Sequence, residues 1–291
     1  MQKTTHLRII SIAIFQCFCL KVSCQESFQW TTDFIQHLNE IEAYEEGIFF
    51  IDNQMSKFNG AQSDSLNYYK GYFNYELKRI DQSIRAFEKV RNESHPLFLE
   101  AKFLTSFQYA YTEDYSKAKL LIELDLDSNA FYHELKLLEL SGIALLERDF
   151  ETFQAYSKGF TGNYYQLASV EENFKLNHEG LLKTRKKSPL LAGVLSGVVP
   201  GAGKFYVGKA GEGYLTLLLS TIAGLQMREA YKKDGINSTR FKVFAGVFGA
   251  IYVANIWGSV LSVKVYREEI NKTYNEAILL NMHVPLRTIF N

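Results

Sequence analysis

Few side chains in this 291-residue chain are spaced for chemistry, and each arrangement can be tested by counting. The six histidines (His6, His37, His95, His133, His178 and His283) never fall three or four residues apart, so no pair shares a helix face at metal-ligand spacing. The adjacent carboxylates Glu45-Glu46 and Glu171-Glu172 would point about 100° apart on a helix, as solvated faces rather than acid/base dyads. The stretch PGAGK invites a phosphate-loop reading. The pattern G-x-x-x-x-G-K-[ST], counted back from Gly203-Lys204, puts its first glycine on Val198 and its hydroxyl on Phe205. No G-x-S-x-G, H-E-x-x-H or dinucleotide fingerprint occurs. The expectation is a protein that is not an enzyme, with no catalytic residue, metal, cofactor or evident small-molecule substrate.

The residues around PGAGK have a structural use instead. Ser188 to Gly203 is a run of 16 uncharged residues. Such a run spans about 24 Å as a helix, short of the roughly 30 Å hydrocarbon core of a bilayer. Pro200, Gly201 and Gly203 should break it, and a break at membrane depth needs protein or water to satisfy the freed backbone groups. Gly213 to Met227 is a second uncharged run of 15 residues, and Val243 to Val263 a third of 21, the clear transmembrane helix. Gly246, Gly249 and Gly258 within the third run predict close helix packing, and Asn255 reads as an interhelical hydrogen-bond partner. This predicts a membrane module over 183–265 with helical segments near 189–203, 211–228 and 243–263. A polar tail over 266–291 follows, helical to about Leu280. The basic run Lys183, Arg185, Lys186 and Lys187 reads as an anchor to anionic headgroups.

The pattern K-S-P-x-x-A-x-x-L-S-x-x-x-P-G-x-G-x-x-Y-x-G, from Lys187 to Gly208, resembles a family of small bacterial membrane modules. One is the two-transmembrane-helix domain, whose F-Y-x-G signature is matched by Phe205-Tyr206-Val207-Gly208. Another is an uncharacterised membrane domain common in Bacteroidetes, with P-G-x-G-x-x-Y in its first helical hairpin. The resemblance covers residues 187–265 at most. It marks Pro200, Gly201, Gly203, Tyr206 and Gly208 as motif residues and implies no catalytic ones. Lys204 departs from it, standing where family members often carry Gln.

The chain ahead of the module is different in kind. Residues 25–182 carry 14 basic and 26 acidic residues, a net charge of −12, whereas residues 183–291 carry 15 and 6, a net of +9. An acidic larger domain argues against a nucleic-acid partner. Residues 1–24 read as a secretory signal: Lys3 and Arg8 precede the 12-residue apolar run Ile9 to Leu20, and Val22 and Cys24 allow cleavage before Gln25. All three cysteines, Cys17, Cys19 and Cys24, would leave with it, and with them any disulfide or thiolate metal site; the alternative is a lipoprotein signal with Cys24 lipidated, against which Lys21 stands where Leu is wanted.

From residue 26 to 180 the apolar spacing is helical. Leu66 to Pro96 carries Gly71 and Ser83 where two helices would cross, Phe87 and Val90 on an inner face, and Pro96 as a stop. That arrangement resembles a tetratricopeptide repeat. The small residues Gly47, Ser83 and Ala118 lie 36 and 35 residues apart, and Gly71, Ser106 and Gly142 lie 35 and 36 apart. Helix pairs are expected near 28–58, 64–95, 98–128 and 132–160, then a capping helix over 163–182 with Leu167, Val170, Phe174 and Leu181 on one side. The fold class predicted is therefore all-α: a tetratricopeptide-like helical solenoid (25–182) followed by a Gly-rich helical membrane module. Stacked pairs leave a concave groove, and the phase nominates Tyr68, Tyr72, Tyr75, Lys102 and Tyr109 to line it.

These observations make the chain a membrane-anchored scaffold or adaptor that binds a protein or peptide partner in the bacterial cell envelope. Its N-terminal domain would lie in the periplasm, with the inner-membrane lipid as its other partner. The alternative makes the membrane module the active part, as a transporter or channel subunit or an accessory to membrane-protein insertion. Few charges within the apolar runs favour the scaffold. Basic residues cluster at 183–187 and again at 228–242. Two crossings, with 188–227 as one broken and partly re-entrant crossing, put the 228–242 loop in the cytoplasm and return the tail outside.

Overall fold

A computed structural model describes residues 28–126, 129–184 and 186–290; the expected signal segment lies outside them. Among the described residues the chain is all-α, with thirteen α-helices and no strand. They fall into two compact units, one reaching to Leu126 together with Phe290, the other Asn129–Ile289. The packing boundary thus differs from the change in composition near 182.

The first unit holds three helical hairpins: α1 (Phe28–Glu40) with α2 (Tyr44–Gln54), α3 (Ala61–Glu76) with α4 (Ile80–Phe87), and α5 (Phe98–Tyr111) with α6 (Tyr115–Ile122). The second unit begins with a fourth, α7 (Ala130–Glu147) and α8 (Phe150–Ser157). All four turns share one backbone device. Glu42, Lys78, Glu113 and Arg148 each adopt positive φ, between 56° and 65°. The next residue's N–H then reaches back five residues: Ala43 to the Leu38 carbonyl, Arg79 to Asn74, Asp114 to Tyr109 and Asp149 to Ala144. This left-handed closure satisfies carbonyls that the ending helix leaves open. Asp114 and Asp149 then cap the second helices, accepting from the N–H groups of Lys117 and Thr152.

Small residues sit where the helices of a hairpin meet. The Ser83 hydroxyl donates to the Gly71 carbonyl, and the Ser106 hydroxyl to the Ala118 carbonyl, each at 2.8 Å. A side chain at Gly71 would enter the Phe87 ring of the same hairpin, and one at Gly47 the Phe73 ring of the next hairpin. Ile35, Ile51, Leu66 and Phe73 form one fully buried cluster across α1, α2 and α3.

In the second unit, α9 (Tyr165–Lys183) buries Leu167, Val170 and Phe174 and packs on α7. Then come α10 (Pro189–Val198), the five-residue α11 (Ala202–Tyr206), α12 (Ala210–Asp234) and α13 (Thr239–Phe290). At 52 residues, α13 runs unbroken through both the apolar segment and the expected tail. Its far end is docked: Ile278, Met282 and Leu286 are fully buried, and Met282 fills the notch at Gly142, beside Phe174. Asn173 donates to Asn281 at 3.0 Å, and Tyr274 closes over Gly180. The third small-residue position, Gly142, thus admits a side chain from α13.

Candidate functional site

The 189–203 segment is not one helix. It ends at Val198, Val199 is extended, and Gly201 at φ +86° restarts the chain as α11. The result is a helical hairpin that rises along α13 and returns. At its base the Ser188 N–H donates to the Tyr206 hydroxyl at 3.1 Å, and Lys187 Nζ to the Tyr206 carbonyl at 2.9 Å. At its tip the broken backbone is met by Asn255 of α13, which is only 3% exposed. Its Oδ1 accepts from the Gly201 N–H and its Nδ2 donates to the Ser196 carbonyl, both at 2.9 Å. The Ser196 hydroxyl takes the Gly203 N–H at 2.8 Å and lies 2.6 Å from the Ser259 hydroxyl. Tyr252 donates to the Gly197 carbonyl at 2.6 Å.

This closure depends on absent side chains. A Cβ at Gly203 would fall on the Ala192 carbonyl oxygen, and one at Gly201 on the carbonyl of Gly213. Gly208 adopts φ +90° where α11 turns into α12, and Lys209 N–H there reaches back to the Lys204 carbonyl at 2.9 Å. Pro200 occupies the bend between Val199 and Gly201. The Lys204 ammonium donates to the Thr216 hydroxyl at 3.0 Å and stands 3.7 Å from Glu212, both on α12. α12 then runs antiparallel to α13, with Gly224 against Phe248 and Tyr231 against Phe241. The motif residues therefore build one self-satisfied polar knot among four helices.

The five groove candidates separate. Tyr68 is buried, and its hydroxyl donates to Glu100 of α5, so it packs one hairpin on the next. Burial pushes the Glu100 carboxyl up to about 7, with the Tyr68 hydrogen bond pulling the other way. Tyr72 stacks on Tyr68 with ring centroids 6.4 Å apart and stays half-buried, as does Tyr75. Tyr109 donates to Glu88 at 2.7 Å and lies under the Lys117 ammonium. Lys102 sits over the Phe98 ring, its pKa lowered first by burial.

Glu171 corrects an expectation. It is buried rather than solvated, because α9 presents it on the same face as Leu167, Val170 and Phe174. Its Oε2 accepts the Gly162 N–H at 3.0 Å, and Glu134 beside it takes the Thr161 N–H and hydroxyl. Burial first, and then Glu134, raise Glu171 to about 7. Glu139 is fully buried, which holds its carboxyl well above the usual range. Glu134 and Glu171 close the loop at Thr161 and Gly162, and Glu139 fills a core. Among the described residues no three His, Cys, Asp or Glu side chains are grouped to hold a metal ion.

Comparison with protein families, with characterised proteins and with solved structures finds no match for this chain. Within α13 an 18-residue window has a mean hydropathy of 1.6, so this helix is long and apolar enough to cross a membrane.

Proposed function

We propose that this protein is a non-catalytic, membrane-anchored scaffold of the bacterial cell envelope. Its helical hairpins act as a tetratricopeptide-like solenoid that takes a protein or peptide segment. The hairpin α10–α11, helix α12 and the first half of α13 lie in the inner membrane, and the repeats and the second half of α13 occupy the periplasm.

The observation that carries this reading is α13 itself. Its first half exposes Val243, Val247, Val253, Trp257 and Leu261, and α12 exposes Leu215, Leu218, Ile222 and Leu225. Such contiguous apolar surface is a liability in water and is satisfied in hydrocarbon. Its second half is locked to α7 and α9 through Met282, Asn281 and Tyr274. An adaptor needs this rigid tie between anchor and repeat.

The test is crosslinking and affinity capture of the intact protein from membranes. Replacing Tyr72, Tyr75 and Tyr109 together with Ala should abolish the principal partner while leaving helicity unchanged; Tyr68 is spared because it is core. A partner that survives this change, yet is lost when an unrelated anchor replaces 188–265, would transfer the activity to the membrane module.

A further inference from the structure

Beside the start of the polar half of α13 lies a cavity of about 640 Å³. Arg148, Lys186 and Arg267 line it together with Phe150, Tyr266 and Ile270, and no carboxylate contributes to its wall. Arg148 is fixed in place, donating to the Leu145 carbonyl at 2.7 Å and to Asn275 at 2.8 Å. The Arg267 guanidinium donates to the Lys187 carbonyl, and among the described residues no carboxylate lies within ion-pair distance of Arg267 or Lys186. Lys187 adds a cation 5.9 Å from the centre of the Tyr266 ring.

Depth selects the ligand. Arg267 follows Val263, the last uncharged residue of the apolar run, by four residues. Four residues of helix rise about 6 Å, and a bilayer's polar layer extends roughly 5–8 Å beyond its hydrocarbon core on each side. The cations therefore stand at phosphate depth, and Phe150, Tyr266 and Ile270 supply an apolar wall for a glycerol backbone and the first methylenes of a chain. Guanidinium groups suit phosphate oxygens because they donate in a planar fork.

We propose that this cavity binds the phosphate headgroup of an anionic lipid. The proposal rests on the membrane reading above and deepens it, because Arg148 belongs to the fourth repeat hairpin and Arg267 to the anchor helix. One headgroup would then bridge the two.

The test uses the full-length chain in mild detergent, examined by native mass spectrometry with phosphatidylglycerol and phosphatidylcholine. The wild type should retain one phosphatidylglycerol per chain, preferred over phosphatidylcholine by roughly tenfold or more. Lys186→Gln with Arg267→Gln should lose that preference. Lys264→Gln with Lys272→Gln, which removes equal charge from exposed positions of α13 outside the cavity, should keep it. Equal loss in both pairs, or retention in the first, overturns the proposal. Displacement of the lipid by excess sn-glycerol 3-phosphate overturns the lipid assignment and leaves a free phosphate as ligand. Flotation with vesicles in alkaline carbonate separates the two readings. A chain that floats without headgroup preference sinks only the cavity assignment, and one that fails to float sinks the membrane reading and the cavity with it.

Discussion

Asn255 spends both ends of its amide on backbone freed by the turn at Pro200. Removing it strands a buried N–H and a buried carbonyl, each costing about 1–3 kcal/mol when unsatisfied. Asn255→Leu should therefore lower unfolding stability of the detergent-solubilised protein by about 2–6 kcal/mol in a denaturant titration. An unchanged midpoint would show that the turn is held by Ser196 and Ser259 alone. That Asn255 bonds between helices was legible from sequence, because it is the lone strongly polar side chain in an uncharged run. Its partners were not, since Gly201 and Ser196 are brought to it by tertiary packing across more than 50 residues. Glu171 was misread because adjacency to Glu172 speaks of angle and not of which face is inward. Leu167, Val170 and Phe174 carried the missing signal. The buried acids also set a pH dependence. Glu100 and Glu171 bind a proton more tightly when folded, at about 7 against an ordinary 4.5, and Glu139 is shifted the same way. The folded chain then holds more protons than the unfolded one between those values, so stability falls as pH rises through that window. The melting temperature should drop from pH 4.5 to pH 7, and Glu100→Gln should flatten part of the slope. A melting temperature that rises over this interval would contradict the burial of these groups.

At the scale of elements, the repeat is most plainly written in its turns. The left-handed residues Glu42, Lys78, Glu113 and Arg148 are spaced 36, 35 and 35 apart, and none is glycine. Composition therefore hid the most regular feature of the hairpins. A turn with Asp is legible ahead of three of the second helices, at residues 79–81, 113–115 and 148–150, whereas its left-handed backbone conformation has no residue signature of its own. A non-glycine residue in this conformation is strained by about 1–2 kcal/mol, partly offset by the greater freedom glycine has when unfolded. Lys78→Gly, at an exposed position, should raise stability by up to about 1 kcal/mol in thermal or urea unfolding. Destabilisation by the same change would mean that the Lys78 side chain contributes more than the strain it causes. Helix limits followed apolar limits poorly after residue 183. α12 runs on past Arg228 to Asp234, and α13 past Lys264 to Phe290. A hydrogen-bond ladder does not stop at the first charge.

For the whole molecule, the proposed anchoring makes a prediction about sides. α12 and α13 run antiparallel, and the α10–α11 hairpin returns to its own base, so the 235–238 loop and the docked end of α13 lie at opposite ends of this bundle. In a chain otherwise free of cysteine, Thr288→Cys should react with an impermeant maleimide in intact spheroplasts, and Ser238→Cys only after lysis. The reverse pattern would invert the orientation, and labelling of both would remove the crossing.

The unbroken α13 also makes its apolar half and its docking face share one angular phase. Each residue of a helix turns the next by about 100°. Between the apolar half and Met282 there is no loop to absorb a change. One residue inserted near Lys264 would swing Met282 away from the Gly142 notch by that angle, whereas seven would bring it back within about 20° and lift it by about 10 Å. The chain thus sets the rotational register of the apolar half of α13 against α7 and α9 by counting residues, as a screw thread sets orientation by pitch.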